Sequence, residues 1–214
     1  MHQRLVLVNY MGSEVYGDAP FRFKCTDECR KDPLCCKGHI FLIQEDSSSL
    51  AKHFSLSNED FFLKYCSLFY VESQGKIDGW YSLVLKKSKN GYCVLLNTKN
   101  RTKSCSVNGN SEPYICRSYP VFLKEKDLYY MRMCPGTRDG DIHTTKEWVE
   151  KNRGIDLKNG MDLIIKKQSD PFSDDFEILS QLIRKKDFGK AEKLKDKIKK
   201  EQQKIVMETF GIKI

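Results

Sequence analysis

The chain has 214 residues, 40% of them hydrophobic, and a formal net charge of +8. That length and apolar content place it among ordinary globular proteins, with room for one main domain and an appendage. No segment approaches the apolar length that spans a bilayer. The lysines are spread along the chain, as at residues 86–89 and 195–200, without interleaved aromatics, so the charge reads as a solvated surface rather than a nucleic-acid face.

In chain order, the first expected strand covers residues 4–9, where Leu5, Val6, Leu7 and Val8 form a short β-rich run. This run is too short for a signal-peptide core, and a cytoplasmic location is expected. A polar stretch at residues 12–20 leads into a cysteine-rich loop. Residues 38–43 (GHIFLI) have strand character, and Asp46 with its following serines starts a helix that carries Leu50, Ala51 and Phe54. Ser57 and Asp60 open a second helix, expected to turn Phe61, Phe62, Tyr65 and Phe69 inward and to include Cys66. Residues 80–86 (WYSLVLK) and 92–97 (YCVLLN) flank an Asn90-Gly91 reversal and are expected to pair as a hairpin. Residues 128–133 form another strand, ending at Cys134. Thr144 and Glu147 make a capping box for a helix with Trp148 and Val149, for which Gly154 is the expected stop, and His143 falls in the loop before it.

From Asp174 the pattern is strongly helical. Phe176, Leu179, Leu182 and Ile183 make one apolar stripe, and Ala191, Leu194, Ile198 and Ile205 make another across a break near residues 187–189. The expected fold class is therefore α+β: a small cysteine-rich metal-binding domain over residues 1–143, a connecting helix and linker over 144–172, and a C-terminal helical hairpin over 173–214. That hairpin reads as a brace or as a docking arm for a protein partner.

The chemistry lies in the nine cysteines. Cys25, Cys29, Cys35 and Cys36 sit close together, and Cys93, Cys105, Cys116 and Cys134 follow downstream. Short spacings let one loop supply several sulfurs at small closure cost, while the distant cysteines would tie remote segments to the same centre. Thiolates are soft ligands that suit zinc, Cu(I) or iron–sulfur clusters. An odd cysteine and the absence of a secretion signal argue against a disulfide framework. Cys66, on an aromatic-rich segment, reads as a buried thiol. His39 reads as a neighbour of the site rather than a ligand, His53 as a helix-surface residue, and Arg117 as a partner for either a cluster sulfur or a carboxylate.

Several pieces in order carry a resemblance: Phe23 before Cys25, the run Cys35-Cys36-Lys37-Gly38, the GHIFLIQED segment, YCVLL around Cys93, Cys105, CRSYP at residues 116–120 and CPG at residues 134–136. Over residues 21–140 the chain resembles the YkgJ-type cysteine cluster proteins, a CxxCxxCC family described as zinc- or iron-chelating. Its opening gaps are longer than that family's by one and three residues. The resemblance implies metal binding by Cys25, Cys29, Cys35, Cys36, Cys93, Cys105, Cys116 and Cys134, with an iron–sulfur cluster or zinc as cofactor. An iron–sulfur centre would imply electron transfer or redox sensing, whereas fully thiolate-bound zinc would imply a structural scaffold for partner binding. Flagellin lysine N-methylases are similar to this family in their cysteine motifs, which makes a methylase-like enzyme the alternative. No glycine-rich nucleotide fingerprint and no phosphate loop accompany it.

Overall fold

The computed structural model describes residues 14–16, 20–72, 79–97, 103–107, 111–124, 127–131, 134–152 and 154–213. The strand expected at residues 4–9 lies outside them, as do residues 132 and 133. The elements in order are β1 (Glu14–Tyr16), β2 (Pro20–Phe23), α1 (Asp27–Lys31), β3 (Phe41–Leu42), α2 (Gln44–His53), α3 (Asn58–Tyr65), β4 (Cys66–Glu72), β5 (Gly79–Leu85), β6 (Leu96–Asn97), β7 (Ser104–Cys105), α4 (Tyr114–Ser118), β8 (Val121–Lys124), β9 (Asp127–Met131), β10 (Asp141–Thr144), α5 (Thr145–Lys151), α6 (Gly154–Ser169), α7 (Ser173–Arg184) and α8 (Phe188–Thr209). Helices and sheets are both present, as an α+β class requires. The described strands pair antiparallel in small sheets ordered β1-β9-β8, β10-β2, β3-β5-β4 and β6-β7.

The main core is built on β5, whose residues are buried at every position. A strand buried on both faces needs covering layers on each side, and Leu42, Leu50, Phe61, Leu83 and Val107 fill the interior together with Met161, Ile164 and Ile165 of α6. Helix α6 lies so close that a Cβ on Gly160 would stand 2.6 Å from Ile43 Cγ2. Two glutamines complete the sheet. Strand β3 reaches only as far as the Leu42–Leu83 pair, and farther along the same edge Tyr81 N–H donates to Gln168 Oε1 at 2.7 Å. Gln168 Nε2 in turn donates to Tyr81 O at 2.7 Å, and Gln202 Nε2 donates to Gly79 O at 2.8 Å. Side-chain amides from α6 and α8 thus satisfy backbone groups that a longer strand would have paired.

Local signals read from the sequence reappear where they are self-contained. Ser57 Oγ accepts the Asp60 N–H at 3.0 Å, and Thr144 with Glu147 forms a reciprocal capping box. Other expectations are corrected. Cys66 and Phe69 belong to β4, because α3 ends at Tyr65 and Cys66 turns extended with its N–H on Phe62 O. The Asn90-Gly91 reversal is present, with Gly91 at φ +77 and Ser88 N–H on Tyr92 O. The two arms do not form a hairpin sheet, however: β5 pairs with β3 and β4, and the returning arm contributes one bridge, Lys87–Cys93, before Leu96 pairs with Cys105. A central buried strand has both edges in demand, which leaves this arm to pair elsewhere. Gly154 opens α6 rather than stopping α5, which ends at Lys151. His143 lies in β10, against the rings of Phe21 and Trp148, rather than in a loop.

The helical hairpin packs through Phe176, Leu179 and Leu182 against Ala191, Leu194, Ile198 and Ile205. Ile183 is 37% exposed and drops out of that stripe. Lys186 at φ 59 makes the reversal, and Asp187 caps α8 by accepting Lys190 N–H. The end of α8 does not stay in the hairpin. Val206, Met207, Phe210 and Ile212 join the same core as β5, and Asn58 Nδ2 donates to Phe210 O at 3.3 Å. No helix among the described residues is long and apolar enough to cross a membrane.

Candidate thiol centre

Each cysteine of the constellation is placed by a short, hydrogen-bonded segment. Thr26 caps α1, its Oγ1 accepting the Cys29 N–H at 3.3 Å, which fixes Cys29 one turn from Cys25. A 3-10 turn at Leu34–Cys36 follows, closed by Cys36 N–H on Pro33 O, and it sets Cys35 Sγ and Cys36 Sγ 4.0 Å apart. Cys93 N–H donates to Cys36 O at 2.7 Å, bringing the downstream segment onto this turn. Lys103 N–H on Arg30 O and the Tyr92 hydroxyl on Asp32 Oδ1 at 2.6 Å clip the same two segments together. Cys105 sits in β7 beside Leu96.

Cys116 lies on α4, which is pinned at both ends. The Asp46 carboxylate accepts Tyr114 N–H at 2.9 Å through Oδ1 and Ile43 N–H at 3.2 Å through Oδ2, joining α4 to the start of α2. At the other end Trp148 Nε1 donates to Ser118 O at 2.9 Å. Cys134 precedes a 3-10 turn at Pro135–Arg138, and Lys24 N–H on Gly136 O at 3.0 Å holds that turn beside the residue before Cys25. The glycine of the CPG motif is needed for this approach: a Cβ there would stand 2.7 Å from Lys24 O and 2.9 Å from the Phe23 ring.

Electrostatically the thiols form one neighbourhood around Cys35. Its charge acts on Cys25, Cys36, Cys93, Cys105, Cys116 and Cys134, and Cys29 joins through Cys25 and Cys134. Burial is the first cause in most cases. It pushes the Cys93 and Cys134 thiols up to about 11 each and raises Cys105 and Cys116. Cys25 is exposed on one side, yet partial burial, Cys35 and Cys29 still raise it. Within the vicinal pair the sulfur–sulfur contact lowers Cys35 and raises Cys36. Cys66 stands apart: burial pushes it up to about 12, and among the described residues Lys86 and Cys93 act on it. No three His, Cys, Asp or Glu side chains among the described residues surround a common point at ligating range. The thiols are gathered rather than assembled into a shell.

Three further side chains border the thiols and were not singled out from the sequence. Glu112 acts on Cys25, Cys35, Cys105 and Cys116. The Tyr119 hydroxyl donates to Met131 Sδ at 3.2 Å and acts on the Cys134 thiol. Lys87, expected on a solvated surface, extends its ammonium to the carbonyls of Cys36 and Lys37, where burial lowers its pKa. The Lys87–Cys93 bridge is the one local feature that ties it to a cysteine; Glu112 has no motif around it. His39 lies with its ring 4.0 Å from that of Phe69, and burial followed by Lys87 lowers its pKa. His53 is exposed at the end of α2.

Comparison with known proteins gives no matching family model, no matching curated relative and no matching solved structure. The functional reading therefore rests on the chemistry of the centre.

Proposed function

We propose that the chain is a metal-thiolate protein, holding an iron–sulfur cluster or zinc through most of Cys25, Cys29, Cys35, Cys36, Cys93, Cys105, Cys116 and Cys134. One observation carries this reading: Cys35 acts on six of the other seven, which come from five separate segments of chain. Chance burial of cysteines does not gather them in this way, as Cys66 illustrates. Their raised affinity for protons means that a soft cation entering the centre displaces protons from sulfur, so metal binding is strongly pH-dependent. The likeness of the CCKG, CRSYP and CPG motifs to YkgJ-type proteins points the same way.

Iron with sulfide would supply one-electron chemistry, with a potential set by burial and by hydrogen bonds to sulfur; the backbone N–H of Leu95 on Cys93 Sγ at 3.5 Å is such a donor. Zinc would supply a structural clamp. In either case the apolar side chains Ile178 and Phe188, 48% and 64% exposed on the hairpin, suit contact with a protein partner. The test is a pair of variants. Cys116→Ser is expected to lose metal while far-ultraviolet circular dichroism stays unchanged, and Cys66→Ser is expected to keep its metal. Equal metal content in wild type and Cys116→Ser contradicts the assignment.

A further inference from the structure

Helix α7 packs on α8 through Phe176, Leu179 and Leu182, and the face turned away from that contact carries Asp174, Glu177, Ile178, Gln181, Arg184 and, at the C-cap, Lys185, all exposed. Charge on this face is sorted along the helix, acidic in the first half and basic at the end. Elsewhere on the hairpin acids and bases are paired, Asp175 with Lys197 at 3.9 Å and Asp187 with Lys190 at 3.0 Å. Asp174, Glu177, Arg184 and Lys185 have no ion pair among the described residues. Charges sorted in this sense complement the helix macrodipole. The dipole gives no reason, however, for Ile178 to stand in water between the two halves, 48% exposed.

We propose that this face of α7 docks on the same face of a second copy of the chain, the two helices running antiparallel. The proposal rests on reading the hairpin as a docking arm, to which it gives an occupant, and does not depend on what the thiol centre binds. Glu177 and Arg184 lie two turns apart on one side of the line through Gln181, and Ile178 and Lys185 lie on the other. A two-fold axis near Gln181 therefore sets Glu177 of one copy opposite Arg184 of the other, twice over. Ile178 of one copy then lies along the alkyl stem of Lys185 of the other. An anionic surface fits less well, because the phosphates of a nucleic acid or a membrane would meet Asp174 and Glu177 beside the cations. A helix of 12 residues offers only about 18 Å of contact, so the dimer is weak and the chain is monomeric at the micromolar concentrations of unfolding experiments.

The test is sedimentation equilibrium of the full, reduced chain at concentrations up to about 1 mM, where a weak dimer is populated. Glu177→Arg and Arg184→Glu each place like charges together at both symmetry-related contacts, and each alone is expected to weaken self-association about tenfold. Mixed in equal amounts, the two variants present opposite charges at both contacts, so the mixture is expected to associate as wild type does. Charges that serve only the helix dipole give no such rescue. A mixture that associates no better than its components overturns the proposal, as do single variants that associate like wild type. Wild-type chain that stays monomeric up to about 1 mM overturns it too. Metal content measured on the same samples keeps the two readings apart: a metal-loaded monomer defeats this proposal alone, and a metal-free dimer leaves it standing.

Discussion

Asp46 couples two parts of the molecule through one carboxylate, accepting N–H groups from the start of α2 and from α4. Burial pushes its pKa up to about 7, against the lowering effect of those two N–H donors and of Arg117. The unfolded value is ~3.9, so the folded state binds the proton more tightly. The resulting stabilisation is full below about pH 4 and is lost as pH rises through about 7, amounting to up to about 4 kcal/mol across that window. Urea unfolding of wild type between those limits is expected to show stability falling as pH rises. Asp46→Asn, which cannot titrate, is expected to flatten that slope; parallel slopes would contradict the assignment. The sequence pointed to Asp46 as a helix-start residue, since that role is local. Its second bond, to Tyr114, spans 68 positions and has no local signature. The same division separates the eight clustered cysteines, legible from residue type and motif, from Glu112, whose nearness to sulfur is set only by tertiary packing.

At the scale of elements, β5 shows where pattern reading succeeds and where it stops. The run WYSLVL is a strand by composition, but which neighbours it takes depends on what covers its two faces, and the nearby Asn-Gly turn points to the wrong partner. The true neighbours, β3 and β4, precede it in sequence, and the open part of its edge is filled by side chains from α6 and α8. Gln168→Leu removes the partner of both Tyr81 N–H and Tyr81 O in a buried site. The cost is about 1–3 kcal/mol for each orphaned group, read as a lowered urea midpoint. Gln181→Leu, on the exposed side of α7, serves as the control and is expected to change stability by no more than about 0.5 kcal/mol. Equal effects would show that the glutamine bonds do not support the sheet. Helix α6 itself was not legible, because its stretch reads as a connection beginning at a glycine.

Across the whole molecule, the C-terminal helices pack both on each other and on the main core. The hairpin has its own apolar stripe, which periodicity revealed, yet the last turn of α8 is buried among the residues of the main core. Phe210, 1% exposed there, ties the two together. Phe210→Ala is expected to cost about 3–5 kcal/mol and to lower a single melting transition followed by far-ultraviolet circular dichroism and by Trp80 and Trp148 fluorescence alike. A hairpin melting separately, with tryptophan signals unmoved, would contradict this coupling. The thiol centre lies on the opposite kind of foundation, short turns and two-residue strands with little regular structure of their own. Metal binding would supply the cohesion that these segments lack. The most direct measurement is metal and acid-labile sulfide per chain after anaerobic purification, with the visible spectrum recorded on the same sample. Stoichiometric iron with sulfide and charge-transfer absorption, or stoichiometric zinc in a colourless protein, is the expected result. Chain that is pure, folded and free of both metals, and that takes up neither on anaerobic reconstitution, would contradict it.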